Sequence, residues 1–124
     1  MEKMKAPNYL PVLVSQWANA ISNRDAKQMT DFYSDDAVLL ATYTPILTSK
    51  QGIYTYFWDF LKKDNLKCKI SYNITQVRGE VIIASGLYDF EYTDRKGKQR
   101  VKARYSFVIS NGKIINHHSS VMPK

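Results

Sequence analysis

Two histidines followed by two serines, His117-His118-Ser119-Ser120, form the segment of the sequence with the clearest capacity for chemistry. Histidine can act as an acid, a base or a hydrogen-bond donor near neutral pH, because its reference pKa is about 6.5. Neighbouring residues on a β-strand point to opposite faces of the sheet, so the two histidines cannot serve one site. This disfavours a metal site. We expect either a cavity histidine with a catalytic role or a hydrogen-bonded structural histidine whose neighbour lies at an interface.

The register of the last hairpin decides which histidine enters a cavity. The pair Asn111-Gly112 predicts a two-residue turn, because both residue types accept a positive φ. Counting outward from this turn places Phe107 opposite Asn116 and Tyr105 opposite His118. One face then carries Tyr105, Phe107, Asn116, His118 and Ser120, and the other carries Arg104, Ser106, His117 and Ser119. We take the first face as the cavity face, with His118 as the catalytic candidate and Asn116 and Ser120 orienting a polar group.

The preceding hairpin supports this choice of face. A loop at 94–97 adds Tyr88 and Phe90 to the cavity face. On the second face it pairs Asp89 with Lys102 and Glu91 with Arg100, and such opposite charges suit a surface in contact with solvent. When the same register is extended through the Arg78-Gly79 turn, however, the apolar residues Ile70, Tyr72 and Ile74 fall on the second face, which conflicts with a face in contact with solvent. A dimer interface on that face or a β-bulge that shifts the register explains this equally well.

Arg104 and the aromatic residues complete the set of candidates. A guanidinium flanked by aromatic rings suits a carboxylate or a phosphate. The alternative for Arg104 is a salt bridge with Asp89 or Glu91. The aromatic residues outnumber what a core of this size needs, so we expect several to face a cavity. The predicted ligand-binding residues are Trp17, Tyr43, Trp58, Tyr88, Arg104, Tyr105, Asn116, His117, His118 and Ser120.

Helices and strands that could position these residues follow from periodicity and from capping signals. Apolar residues at helical spacing predict a first helix over about 8–22, capped by Asn8, with Pro11 in its first turn. Asp25 caps a second helix, which ends at Ser34-Asp35-Asp36 before a short strand over 37–40. Ser49 opens a third helix. From Leu66 onward, turn signals separate four long antiparallel strands. The prediction is an α+β domain in which three N-terminal helices pack on a strongly curved antiparallel sheet, forming a half-open cone.

Length, charge and cysteine content exclude several classes of protein. A chain of 124 residues suits one domain, 1–124. The net charge of +7 is spread over loops and strands without a nucleic-acid-binding motif, so we expect no nucleic-acid partner. Cys68 is the one cysteine, which excludes an intramolecular disulfide and a cysteine-based zinc site. No apolar stretch is long enough to span a membrane, so we expect a cytoplasmic protein without a membrane partner.

Five segments carry a resemblance to a known family. They are Asp36-Ala37-Val38-Leu39-Leu40, Tyr56-Phe57 with Phe60-Leu61, Ser85-Gly86-x-Tyr88-x-Phe90, Ala103-Arg104-Tyr105-Ser106-Phe107-Val108 and the closing His117-His118-Ser119-Ser120-Val121-Met122-Pro123. They resemble the nuclear transport factor 2-like superfamily, and within it the SgcJ/EcaC-type family related to the calcium/calmodulin-dependent protein kinase II association domain. The resemblance implies a cystatin-like cone and a homo-oligomer, usually built from a homodimer. Relatives often have Pro where this chain has Ala41, and a Trp at the start of the last strand.

Three functions are compatible with these observations. The first is a homodimeric binding protein whose aromatic, partly polar cavity takes a small organic ligand, with an anionic group as one option. The second is a cofactor-independent isomerase, dehydratase or cyclase, similar to ketosteroid isomerase or SnoaL-like enzymes, that uses His118 beside a tyrosine. The third is an oligomerisation module. We expect no cofactor, since the sequence has no Gly-rich dinucleotide loop.

Overall fold

The computed structural model describes residues 9–123 and shows helices packed on a single curved sheet. The helices are α1 (Val12–Ala20), α2 (Ala26–Asp31) and α3 (Lys50–Phe60), and a 3₁₀ turn (Ile21–Asn23) follows α1. The strands are β1 (Tyr33–Leu40), β2 (Asp64–Arg78), β3 (Val81–Asp94), β4 (Gly97–Ser110) and β5 (Lys113–Val121). The strand order is β1-β5-β4-β3-β2, with β1 parallel to β5 and the other pairs antiparallel. The predicted α+β cone is confirmed.

Two of the predicted helix caps are present. The Asp25 carboxylate accepts hydrogen bonds from the backbone N–H groups of Lys27 and Gln28, and Ser49 Oγ accepts one from Gly52. Each cap satisfies backbone donors that the first turn of a helix leaves without partners. α1 begins directly after Pro11, later than predicted, and the predicted cap Asn8 lies outside the described residues.

The prediction for the start of β1 was wrong. α2 ends at Asp31, and the strand already begins at Tyr33, four residues before the predicted strand. The cause is tertiary pairing with β5. Tyr33 lies beside Ile114 in the parallel ladder, and the Ile114 backbone N–H donates to the Phe32 carbonyl at 2.8 Å. This pairing extends the segment 34–36, which local sequence alone assigns to a helix end, and it places Tyr33 in the core.

Two β-bulges set the faces of the sheet. In β5, Ile109 pairs with Ile114 but Val108 pairs with Asn116, so Ile115 is an extra residue. A bulge of this kind shifts every later residue of the strand to the other face. In β2, Ser71 is the extra residue between the pairs of Ile70 and Tyr72. The predicted face was therefore wrong for all of β5 beyond the bulge.

The β2 bulge also resolves the conflict over the second face. Ile70 pairs with Tyr88 on the inner face, which the helices cover, whereas Tyr72 pairs with Leu87 on the outer face. Ile74, beside Ser85, shares the outer face. The predicted ladder between β3 and β4 is confirmed, since Asp89 lies opposite Lys102 and Glu91 opposite Arg100.

Gly86 allows the β2 bulge to approach β3 closely. A Cβ atom at this position would overlap the backbone carbonyl of Tyr72 and would lie 2.9 Å from the Tyr105 hydroxyl. The Tyr105 hydroxyl donates to Asn73 Oδ1 at 2.6 Å. The absence of a side chain at position 86 therefore permits both the bulge and this buried hydrogen bond.

We expect Gly86→Ala to destabilise the protein by about 1–3 kcal/mol, because the added methyl group overpacks a rigid backbone contact. Urea unfolding followed by circular dichroism measures the change. Gly52→Ala is the matched control: a Cβ there lies 3.4 Å from Ser49 Oγ, and alanine is favoured over glycine inside a helix. A Gly86→Ala protein as stable as wild type would contradict the close approach.

Candidate functional site

The interior of the cone is filled by aromatic side chains arranged around Trp17. Its ring is stacked on Tyr88 with centroids 5.6 Å apart and meets Phe57, Phe107 and His117 edge-on. All of these side chains are buried. Over most of its length, the cone therefore holds a packed core and not an open cavity.

A chain of hydrogen bonds crosses this aromatic core. Trp17 Nε1 donates to the Tyr33 hydroxyl at 3.1 Å, and that hydroxyl lies 2.8 Å from His117 Nδ1. On the other side of the ring, His117 Nε2 lies 3.1 Å from the Tyr88 hydroxyl, which donates to Ser119 Oγ at 2.6 Å. We call Trp17, Tyr33, His117, Tyr88 and Ser119 the buried relay. It satisfies polar groups that would be costly to bury without partners.

The buried relay is uncharged at neutral pH. Burial in the aromatic core, with a smaller contribution from His118, lowers the pKa of His117 from 6.5 to about 3. Burial also raises the pKa of the Tyr33 and Tyr88 hydroxyls well above their ordinary value of 10. Loss of hydration disfavours the charged form of each group. His117 is also stacked on Phe107 with centroids 4.0 Å apart, which holds the ring in place.

One end of the cone remains open as a cavity of about 350 Å³ between α3 and the ends of β3, β4 and β5. Its walls are mainly apolar and aromatic and consist of Tyr56, Phe60, Phe90, Tyr92, Val101 and Ala103. Tyr43 stands at the rim of this space on the loop after β1, where its side chain is fully exposed and its backbone has a φ of 60°. We call this space the cone cavity.

The polar groups at the cone cavity are the Lys63 ammonium and the hydroxyls of Ser119, Thr42 and the tyrosines. Ser119, the last member of the buried relay, contributes to its wall, and Lys63 contributes a cation. Lys63 Nζ lies 5.5 Å from the ring centroids of both Phe60 and Tyr92. Thr42 Oγ1 accepts from the Val121 N–H and donates to the Ser119 carbonyl, which ties the loop after β1 to the end of β5. The buried relay and the cone cavity thus meet at Ser119.

The predicted cavity residues on β5 lie on the wrong face. The extra residue Ile115 turns Asn116, His118 and Ser120 to the outer face, together with Arg104. His118 is exposed there, away from the cone cavity. The same bulge turns His117 and Ser119 inward, opposite Phe107 and Tyr105. His118 therefore does not occupy the position of a cavity base.

The other predicted residues are distributed over three places. Trp17, Tyr88 and Tyr105 lie in the core, as His117 does. Tyr43 is fully exposed and lies at the rim of the cone cavity. Trp58 lies on the exposed side of α3, where Lys62 Nζ sits 3.6 Å from its ring centroid. Asp89 and Glu91 form ion pairs with Lys102 and Arg100, each at 2.9 Å, and not with Arg104.

Sequence reasoning missed Ser119 and Lys63. A register count that allowed one bulge would have placed Ser119 inside, but no residue type marks Ile115 as the extra residue. Lys63 follows the predicted third helix, and its neighbour Lys62 is a surface lysine, so composition does not distinguish the two. Cys68 lies on β2, as predicted, and burial raises the pKa of its thiol, so it is a poor nucleophile.

Within residues 9–123, no three His, Cys, Asp or Glu side chains converge into a group that could hold a metal ion. No helix in this part of the chain is both long and apolar enough to cross a membrane.

The architecture defines the class of protein. Five strands curled around three helices, with a cavity at one end, form the cystatin-like cone of the nuclear transport factor 2-like superfamily. A superfamily member from Salmonella enterica serovar Typhimurium superposes with a TM-score of 0.75 at 17% identity, covering 90% of this chain and 87% of that one. A ketosteroid isomerase-like protein from Erwinia carotovora atroseptica gives 0.75 at 11% identity, covering 91% and 93%. At these identities the similarity concerns the fold alone.

A sequence profile and a third structure narrow the class to a family. The profile of the calcium/calmodulin dependent protein kinase II association domain matches residues 9–123. A protein from Xanthomonas campestris described as such a domain is 37% identical, with a TM-score of 0.81 over 90% of this chain and 84% of that one. This chain belongs to the calcium/calmodulin dependent protein kinase II association domain family. No curated protein matches its sequence.

The lowered pKa of His117 predicts a loss of stability in mild acid. Below pH 6.5 the unfolded chain binds a proton at this position, whereas the folded protein does not until about pH 3. The unfolded state is therefore favoured as the pH falls, by about 1.4 kcal/mol per pH unit between these limits. Between pH 7 and pH 5 we expect wild type to lose up to about 2 kcal/mol more than His117→Gln, measured by urea unfolding.

His118→Gln provides the matched control for this experiment, because His118 is exposed on the outer face. It should retain the acid sensitivity that burial of His117 causes. If His118→Gln removed the acid sensitivity and His117→Gln did not, the assignment of the two histidines to the two faces would be contradicted.

Proposed function

We propose that this protein binds a small, largely apolar organic molecule in the cone cavity. The single observation that carries the proposal is an aromatic cavity of about 350 Å³ whose lining includes the polar groups of Ser119 and Lys63. Small-molecule sites are typically concave and mostly apolar, with volumes from about 300 to 1,000 Å³ and a few polar groups that fix orientation. The cone cavity matches this description at the small end of the range.

The polar groups favour an anionic ligand over a cationic one. Lys63 is the cation among the lining residues, and no acidic side chain lines the same space. A ligand that carries a carboxylate could place it near Lys63 while its apolar part contacts Phe60 and Tyr92. The excess of basic residues in the whole chain acts in the same direction, by attracting anions to the surface.

The enzyme hypothesis receives less support from this geometry. A general base needs a pKa near the working pH and must reach the reacting proton. His118 is on the outer face, and burial lowers the pKa of His117 to about 3. Neither histidine meets both conditions. The groups that remain at the cavity are the Lys63 ammonium and the hydroxyls of Thr42, Ser119 and three tyrosines, and burial raises the pKa of one of these, Tyr56, to about 12. These groups are suited to hydrogen bonding and not to proton abstraction near neutral pH.

We expect 2-naphthoate to bind the cone cavity with sub-millimolar affinity, which is what the ligand efficiency of a compound this small allows. Isothermal titration calorimetry measures the binding. Val121→Trp, at the cavity rim, should weaken it at least about tenfold, because the larger side chain occupies the opening. Lys63→Met should weaken the binding of 2-naphthoate and leave the binding of its uncharged analogue 2-ethylnaphthalene unchanged.

Val77→Trp is the matched control for Val121→Trp. Both valines are about half exposed on strands, but Val77 lies near the Arg78-Gly79 turn and does not line the cone cavity. Equal binding of 2-naphthoate by wild type, Val77→Trp and Val121→Trp would place the ligand elsewhere and contradict the proposal.

We also propose that the chain associates with itself through the outer face of the sheet, with a homodimer as the unit. The family to which it belongs is named for association. The outer face combines half-exposed apolar side chains, including Tyr72, Ile83, Leu87 and Val108, with polar groups such as Asn116 and His118. A mixture of this kind is typical of an interface between subunits.

Leu87→Lys should convert a dimer into a monomer at micromolar concentration, because a buried, unpaired charge at an interface is costly. Sedimentation velocity measures the change. Val12→Lys, an exposed valine on α1, is the control and should leave association unchanged. A monomeric wild type, or a Leu87→Lys variant that remains a dimer, would argue against this surface.

A further inference from the structure

The buried relay has one member that can act only as a donor, and this member sets the direction of every hydrogen bond in it. The indole N–H of Trp17 has no acceptor function, so it must donate to the Tyr33 hydroxyl. The hydroxyl oxygen of Tyr33 accepts this bond and still carries its own proton. Tyr33 is completely buried, so this proton also needs an acceptor inside the protein.

The acceptor within reach is His117 Nδ1, 2.8 Å from the Tyr33 hydroxyl oxygen. If Nδ1 accepts, the proton of the neutral imidazole must be on Nε2. Nε2 then donates to the Tyr88 hydroxyl oxygen at 3.1 Å, and the Tyr88 proton goes to Ser119 Oγ at 2.6 Å. Each group in this series therefore donates one hydrogen bond to the next group.

The opposite direction fails at Tyr33. If Ser119 donated to Tyr88 and Tyr88 to Nε2, Nδ1 would carry the imidazole proton and donate to Tyr33. The Tyr33 hydroxyl would then accept from both His117 and Trp17, and its own proton would have no acceptor among the described residues. A hydroxyl proton buried without a partner loses its hydration with no compensation. The forward direction leaves no such group, because its last free proton belongs to Ser119, which reaches the cone cavity.

We propose that the buried relay runs one way, from Trp17 to the cone cavity, and presents the Ser119 hydroxyl as a hydrogen-bond donor to the ligand. The cavity then selects molecules with an acceptor oxygen, such as a ketone, an ester or a carboxylate, attached to an apolar body. Ser119 is the residue that determines this specificity, and Trp17, Tyr33, His117 and Tyr88 position it. Ligand selection rests on the proposed function, whereas the direction of the relay does not.

The direction of the relay is tested without any ligand and without substitution in the relay. In protein labelled with ¹⁵N-histidine, long-range ¹⁵N–¹H correlation spectra distinguish a protonated ring nitrogen from a bare one. The chain has two histidines, so in the His118→Gln variant the only histidine signals are those of His117. We expect a protonated Nε2 and a bare Nδ1 near neutral pH. A protonated Nδ1 would overturn the proposal.

The selection of ligands is tested with two probes of similar shape. 2-Acetylnaphthalene has an acceptor oxygen and 2-ethylnaphthalene has none, and both are also compared in Lys63→Met, which removes the lysine donor that lines the same cavity. Wild type should bind the ketone about 3- to 10-fold more tightly, the net effect of one hydrogen bond. Ser119→Ala should abolish this preference while retaining 2-ethylnaphthalene. The Tyr88 hydroxyl cannot replace Ser119, because Tyr88 is completely buried behind it.

Ser120→Ala is the matched control, since this neighbouring serine faces the outer side of the sheet and should keep the preference. Equal affinity of wild type for both probes would overturn the selection by Ser119 and leave the cavity as a binding site. Failure of both probes to bind would overturn the selection together with the proposed function, and the tautomer of His117 would still decide the direction of the relay.

Discussion

The extra residue in β5, Ile115, is the constraint on which the interior of this protein depends. Without it, His118 would pair across from Tyr105 and point into the cone; with it, His117 and Ser119 take the inward positions. Insertion of His117 into the aromatic core then requires partners for both ring nitrogens, because an unpaired buried imidazole is costly. Tyr33 and Tyr88 supply them from opposite sides of the ring. The position of Tyr33 depends in turn on the early start of β1, which pairs with β5 beside the bulge. A single local irregularity thus determines strand pairing, core composition and the polar wall of the cavity together.

The buried relay joins two requirements that usually compete. A core made of aromatic rings is stable when it is dry, whereas a binding site needs polar groups that are held in place. Here the polar groups form one connected chain in which each donor has an acceptor, so burial does not leave an unpaired group until the chain reaches the cavity. The stacking of His117 on Phe107 and of Trp17 on Tyr88 fixes the ring orientations that this chain needs. Stability and orientation of Ser119 therefore arise from the same contacts, and a change in the core is transmitted to the cavity wall through hydrogen-bond geometry.

Local signals in the sequence predicted much of the fold and little of the site. Asp25 and Ser49 mark helix starts because capping depends on a few neighbouring residues, and Asn111-Gly112 marks a turn because its backbone conformation selects those residue types. The bulges have no comparable signal. Ile115 and Ser71 are residue types that ordinary strands contain, and their extra positions follow from packing between elements distant in the sequence. A shift of one residue turns Asn116, His118 and Ser120 outward and His117 and Ser119 inward, so the side chains that reach the interior from β5 differ from those predicted.

The two faces of the sheet differ in polarity and burial, and one of the two adjacent histidines lies on each face. On the inner face, His117 is kept neutral by burial and acts as a fixed donor and acceptor. On the outer face, His118 is exposed among half-buried apolar residues and serine and asparagine side chains. Because both histidines belong to one strand, movement of β5 at the outer face would also move His117 and Ser119 at the inner face. Contact between subunits on the outer face and ligand binding in the cone cavity would thus both involve β5. A shift of this one strand would couple them without a change elsewhere in the fold.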